Sequence, residues 1–230
     1  MSLTGAGKFA WTGGSASGTA GVASTVGVAI SGAVEHSVVN RPNGKTSVLT
    51  THGPVSVAAG TAKTADSVQV GNGDQWVNAG TLTLPKDASI GAPGCCGPTP
   101  GVKNTGTMTV ATGAGKDGMT TGLDNTGTVK LASGTLALTA GTYQQAASGT
   151  LAVTFAGTWP GTGFGQLTTT GAVKLAGTVA VGTSGGFTPP KGQPFEVLGY
   201  ASRSGTFGKL SGSPPYTVSY HTAGMDVVFH

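Results

Sequence analysis

Apolar and polar positions alternate with a period of two along short stretches of this chain, and each stretch opens on a glycine. The clearest run is residues 125–181. It begins Asn125-Thr126-Gly127-Thr128-Val129-Lys130-Leu131 and continues Ser133-Gly134-Thr135-Leu136-Ala137-Leu138. The phrase returns as Ser148-Gly149-Thr150-Leu151-Ala152-Val153 and as Thr170-Gly171-Ala172-Val173-Lys174-Leu175. Gly127, Gly149 and Gly171 follow one another at intervals of 22. Alternation bounded by glycine predicts half-buried strands, and a fixed interval of this size predicts a repeat architecture. A single such strand cannot bury its apolar face, whereas stacked coils cover one another.

Two earlier phrases share the grammar: Asn78-Ala79-Gly80-Thr81-Leu82-Thr83-Leu84 and Asn104-Thr105-Gly106-Thr107-Met108-Thr109-Val110. The expected fold is therefore all-β, a right-handed parallel β-helix (solenoid) of roughly 22-residue coils with a C-terminal cap. Residues 1–186 are assigned to coils, with loop excursions near 35–52 and 85–100, and residues 187–230 to the final coils and cap of one continuous domain. Side chains at Leu82, Leu84, Met108, Val110, Val129, Leu131, Leu136, Leu138, Leu151, Val153, Val173, Leu175, Val179 and Val181 should point inward. Thr83, Thr109, Lys130, Ala137, Ala152 and Lys174 should point out, because successive strand residues alternate faces. Asn78, Asn104 and Asn125 each precede a glycine by two. Stacked at the inter-strand spacing, they are expected to form a structural ladder in which each amide donates to the next carbonyl; the alternative is that each asparagine only makes its own turn.

Composition supports this picture. Glycine makes up 42 of 230 residues, charged residues only 9%, and the apolar 37% is patterned, which argues against disorder. No window reads as an amphipathic helix. The net charge is +4, but the lysines are scattered singly, so no nucleic-acid groove is indicated. No apolar run is long enough to span a membrane. Repeat-like sequence starts directly after Met1-Ser2-Leu3, so a segment of a longer parent chain is expected, with its export signal outside this stretch.

Candidate chemistry is sparse. Gly113-Ala-Gly115-Lys-Asp-Gly118 matches a dinucleotide fingerprint but no helix start follows it. Gly182-Thr-Ser184-Gly-Gly186 matches a nucleophile elbow but runs into Phe187-Thr-Pro189-Pro190. Gly71-Asn-Gly-Asp74 is half of a calcium-binding nonapeptide with no second copy, so it reads as a turn. Cys95-Cys96 lacks further zinc ligands. Glu35 with His36, or Asp87, is the one conceivable acid–base grouping. No catalytic, cofactor or metal residue is assigned. Trp11, Trp76 and Trp159 are candidate glycan contacts, since indoles stack on sugars, although large aromatics mostly serve burial. Rows of outward threonines (Thr81, Thr83, Thr107, Thr109) raise an ice-binding alternative.

The opening Gly7-Lys8-Phe9-Ala10-Trp11-Thr12-Gly13-Gly14, the Asn-Thr-Gly-Thr and Ser-Gly-Thr-Leu phrases, and the closing Phe187-Thr-Pro189-Pro190 and Gly205-Thr206-Phe207 carry a resemblance. They resemble the β-helical regions of large secreted bacterial repeat proteins, the autotransporter passengers and adhesins. The resemblance implies export, an extracellular or cell-surface location, and a structural stalk or adhesive role with a surface glycan or protein ligand as partner. It carries over no catalytic residue. A glycan-binding module and a polysaccharide-degrading β-helix are the rival functions.

Overall fold

The computed structural model describes residues 2–12, 14–16, 18–23, 25–30, 36–38, 47–57, 68–71, 73–86, 88–91 and 101–230. Among them the chain is all-β, with no helix. Parallel strand pairing dominates, and it follows from the sequence pattern: strands of four to six residues, apolar on alternate positions, need neighbours on both edges and a shared apolar face.

Nine of the described strands form one sheet, from Ser2–Leu3 through Val48–Thr51, Gln75–Asn78, Val102–Asn104, Leu123–Asn125 and Tyr143–Gln145 to Ser202–Gly205. The second sheet is two ladders joined by the long strands Thr107–Met119 and Thr128–Leu138, each of which takes part in both. One of these ladders aligns Thr81, Thr107, Thr128, Thr150 and Thr178 in register. The other aligns Met119, Leu138 and Thr169, then passes to Pro194–Gly199. The chain visits the three ladders in turn.

Register corrects the repeat interval. Thr128 pairs with Thr150, and Thr150 with Thr178, so the partner of Gly149 further along is Gly177 and not Gly171. Gly171 instead precedes the strand Ala172–Leu175, which belongs to the nine-stranded sheet and sets Val173 beside Tyr143. The turns and loop at 156–165 lengthen that stretch and displace the phrase onto another face. Both stretches expected to loop out also contain strands. His36–Val38 and Val48–Thr51 pair within the ladders, and Ser89–Gly91 pairs with Val68–Val70 on one side and Gly118 and Met119 on the other. These strands are only three or four residues long, too short for alternation to show above a Gly- and Pro-rich background. The cysteine pair, Glu35 and Asp87 lie outside the described residues.

All fourteen side chains expected inward are buried, together with Trp76, Val102, Leu123 and Tyr143. Each such residue of leucine size contributes about 1.5–3 kcal/mol on leaving water. Lys130 and Lys174 are exposed. Ala137 departs from expectation: it is buried, because its methyl is short and Thr168 flanks it in register on the next strand.

At the C-terminal end the pairing changes sense. Tyr216–His221 and Gly224–Phe229 form an antiparallel hairpin, whose second strand pairs antiparallel with Pro194–Gly199. Phe155, Phe164, Phe195 and Phe229 close the core there, with ring centroids 5.1–5.7 Å apart in stacked and edge-on pairs. The Tyr216 hydroxyl lies 2.8 Å from the carbonyl oxygens of Val179 and Ser211, and Ser211 N–H donates to it at 3.0 Å. Tyr216→Phe would leave that N–H and the Val179 carbonyl short of a partner. A loss of about 1–2 kcal/mol is expected in urea denaturation.

Candidate functional site

The most ordered polar feature is internal. In the nine-stranded sheet, Asn78, Asn104 and Asn125 stand in register, and Gln145 pairs with Asn125. All four are buried. Asn78 Nδ2 donates to Asn104 Oδ1 at 2.7 Å, and Asn104 Nδ2 to Asn125 Oδ1 at 2.9 Å. Asn125 Nδ2 continues to Gln145 Oε1 at 3.3 Å. Each amide nitrogen also reaches a backbone carbonyl of the adjoining ladder: Asn78 to Thr107 at 3.0 Å, Asn104 to Thr128 at 2.9 Å, Asn125 to Thr150 at 3.1 Å and Gln145 to Thr178 at 3.0 Å. The row thus ties two faces together at one corner, because each amide bonds both to its neighbour in the row and to the first residue of a strand in the adjoining ladder.

Gln145 extends the row beyond what the sequence pattern shows. Each asparagine sits two residues before its glycine, whereas Gln145 sits four before Gly149, so the corner is longer and the spacing signal is lost. The extra methylene of glutamine spans the difference, and Nε2 also reaches the carbonyls of Gly149 and Ala176 at 3.1 and 2.9 Å. Tyr143 completes the row, donating to Gln145 Oε1 at 2.6 Å. Burial pushes its phenol well above the usual range, against a lowering by the Asn125 amide, so it remains a neutral donor.

The three tryptophans part company. Trp76 is fully buried, and its indole N–H donates to Thr51 Oγ1 at 3.2 Å, so it is no glycan platform. Trp11 is also buried and lines, with Leu3, Phe9, Ile30 and Leu49, an apolar cavity of about 270 Å³ at the N-terminal end. Trp159 is 75% exposed. It sits at the tip of the segment between Phe155 and Gly165, where Trp159 O accepts from Gly163 N–H at 2.7 Å and Gly161 N–H donates to Phe164 O at 2.9 Å. Phe164 anchors this segment by stacking on Phe155 inside the core. One ring holds the loop down while the other is presented to solvent.

The remaining sequence motifs take structural places. Gly113 to Gly118 runs inside one long strand. Gly182 to Gly186 is a strand end and turn, with no helix after it. Asp74 is buried and accepts from Ser47 N–H at 2.7 Å, a structural use of the carboxylate. In the ladder carrying the outward threonines, Thr83 and Thr109 are followed in register by Lys130 and Ala152, so the second row of hydroxyls is broken. No protein-family model matches the chain, and no curated protein is found similar to it.

Proposed function

We propose that this chain is a right-handed parallel β-helix, closed at its C-terminal end by the antiparallel hairpin, and that it acts as a non-enzymatic rigid stalk or display scaffold in an exported bacterial repeat protein. The observation that carries the reading is the unbroken internal row Asn78–Asn104–Asn125–Gln145. It fixes the stacking of neighbouring coils and commits these buried polar side chains to structure, not to a cleft. Crossovers between parallel strands of one sheet favour the right hand. At the inter-strand spacing of about 4.8 Å, the nine strands of one ladder extend roughly 40 Å. Export and surface exposure rest on the resemblance to autotransporter passengers and adhesins.

Surface display tests this. Fused between an outer-membrane anchor and an epitope tag, the chain should carry the tag to the cell surface in a protease-resistant form. It should release no sugar from a panel of polysaccharides. Failure to fold on the surface, or release of sugar products, overturns the reading.

The exposed Trp159 supports a second reading, an adhesive contact to a glycan or protein. Trp159→Ala should change stability by less than about 0.5 kcal/mol, since most of the ring stands in solvent. A glycan-array signal lost in that variant would make the chain a lectin-like module. A blank array leaves the scaffold.

A further inference from the structure

We infer that the C-terminal hairpin carries a binding site for a divalent transition-metal ion of the zinc class, formed by Glu196, His221 and Asp226. The three come from three different strands and meet on one face of the antiparallel sheet. His221 Nε2 lies 3.6 Å from Glu196 Oε2 and 3.7 Å from Asp226 Oδ1, and all three donor atoms fall within 4.8 Å of one another. A tetrahedral ion with bonds of about 2.0–2.1 Å needs its donors about 3.3–3.4 Å apart. The observed gaps close by a few tenths of an ångström for the two histidine edges.

The surroundings build the site. Glu196 and Asp226 are directly opposed across the sheet, where like charges are unfavourable. A bulge between Glu196 and Leu198 shifts the register beside them. Glu196 Oε1 accepts from Gln166 Nε2 at 3.4 Å, which turns Oε2 toward His221. The turn carrying His221 is pinned from beneath by Tyr200, whose hydroxyl lies 2.6 and 3.0 Å from the carbonyl oxygens of Gly224 and His221. Gly224 leaves the space open: a Cβ there would stand 2.7 Å from His221 Cε1 and 2.9 Å from Glu196 Oε2. Such outer contacts hold ligands in place. One imidazole with two carboxylates suits zinc, nickel or copper, whereas calcium wants six to eight oxygens. The side chains of His221, Glu196 and Asp226 are 40%, 44% and 21% exposed, so an ion enters from solvent and retains an open position. Bound there, it clamps the strand Pro194–Gly199 to the hairpin.

Zinc chloride titrated into the full chain by calorimetry should show one equivalent bound and a raised melting temperature, with magnesium and calcium without effect. His221→Ala, Glu196→Gln and Asp226→Asn should each weaken zinc at least about tenfold, while His52→Ala should leave it unchanged. Circular dichroism checks that the variants are folded, and zinc-induced shifts of the His221 ring in NMR read the site without any substitution. Absence of zinc binding, binding that survives His221→Ala in a folded variant, or ring shifts at other histidines only would overturn the assignment.

Discussion

Asn104→Asp is expected to unfold the chain at neutral pH and to let it fold only in acid. Asn104 is fully buried. Its amide nitrogen donates to Asn125 Oδ1 and Thr128 O, both at 2.9 Å, and lies 3.3 Å from Gly106 O. Aspartate would set an oxygen against those three oxygens and bring an unpaired charge into the core. A buried ion without a partner costs several kcal/mol after relaxation, against a total stability of about 5–15 kcal/mol for a domain. Protonated, the new carboxyl donates one hydrogen bond and most of the cost disappears. Burial therefore raises its folded-state pKa above the unfolded value of about 3.9. A group with a raised folded pKa contributes its stability below the unfolded pKa and loses it as pH rises through the folded one. Melting followed by circular dichroism from pH 3 to 8 should show the variant falling away from the parent chain as pH rises. Asn104→Ala should be milder and pH-independent, about 2–4 kcal/mol, since it strands the Asn78 donor and the Asn125 acceptor at about 1–3 kcal/mol each. An Asn104→Asp protein that melts within a few degrees of the parent at pH 7 would sink the account.

The row containing Asn104 is legible because three features coincide in sequence: an amide, a glycine two residues on, and a strand with strict alternation. Where one feature lapses, legibility goes with it. Gln145 keeps the amide and the register but sits four residues before its glycine, and so escapes the pattern. Gly171 keeps the glycine and the alternation but belongs to another ladder, because residues 156–165 lengthen the path before it. The burial of Trp76 cannot be read from pattern, since it stands next to Val77 and either of the two could take the inward face. Its place is set by pairing with Leu49 and Val102 on neighbouring strands. The Glu196, His221 and Asp226 grouping is beyond sequence for a different reason. It depends on antiparallel pairing and a bulge, whereas the repeat grammar predicts parallel strands throughout.

The glycines of the repeat carry a constraint that alternation does not reveal, and Gly106→Ala should expose it with a loss of about 3 kcal/mol or more. Gly106 does not need a left-handed backbone; its constraint is proximity. A Cβ there would lie 2.1 Å from Gly80 O and 2.9 Å from Gly80 N, well inside any real contact. The same holds at neighbouring positions of the corner: 2.2 Å to His52 O at Gly80 and 2.2 Å to Gly106 O at Gly127. Backbone packs directly on backbone here, and a methyl can be accommodated only by spreading the strands. That movement would stretch the bonds from Thr107 N–H to Gly80 O and from Thr128 N–H to Gly106 O, both 2.8 Å long. It would also pull Asn104, two residues away, from its 2.7 Å contact with Asn78. Overpacking costs about 1–3 kcal/mol by itself, and each weakened buried hydrogen bond adds about 1 kcal/mol. Gly106→Val, with two further carbons, is expected not to fold. Gly182→Ala is the control: no atom lies within 4 Å of the position its Cβ would take, and its backbone is not left-handed. It should be neutral or stabilise by about 0.4–1 kcal/mol through the unfolded state. Urea midpoints of the two alanine variants decide the matter. If Gly106→Ala unfolds at the same urea concentration as Gly182→Ala, the close backbone stacking at this corner is wrong.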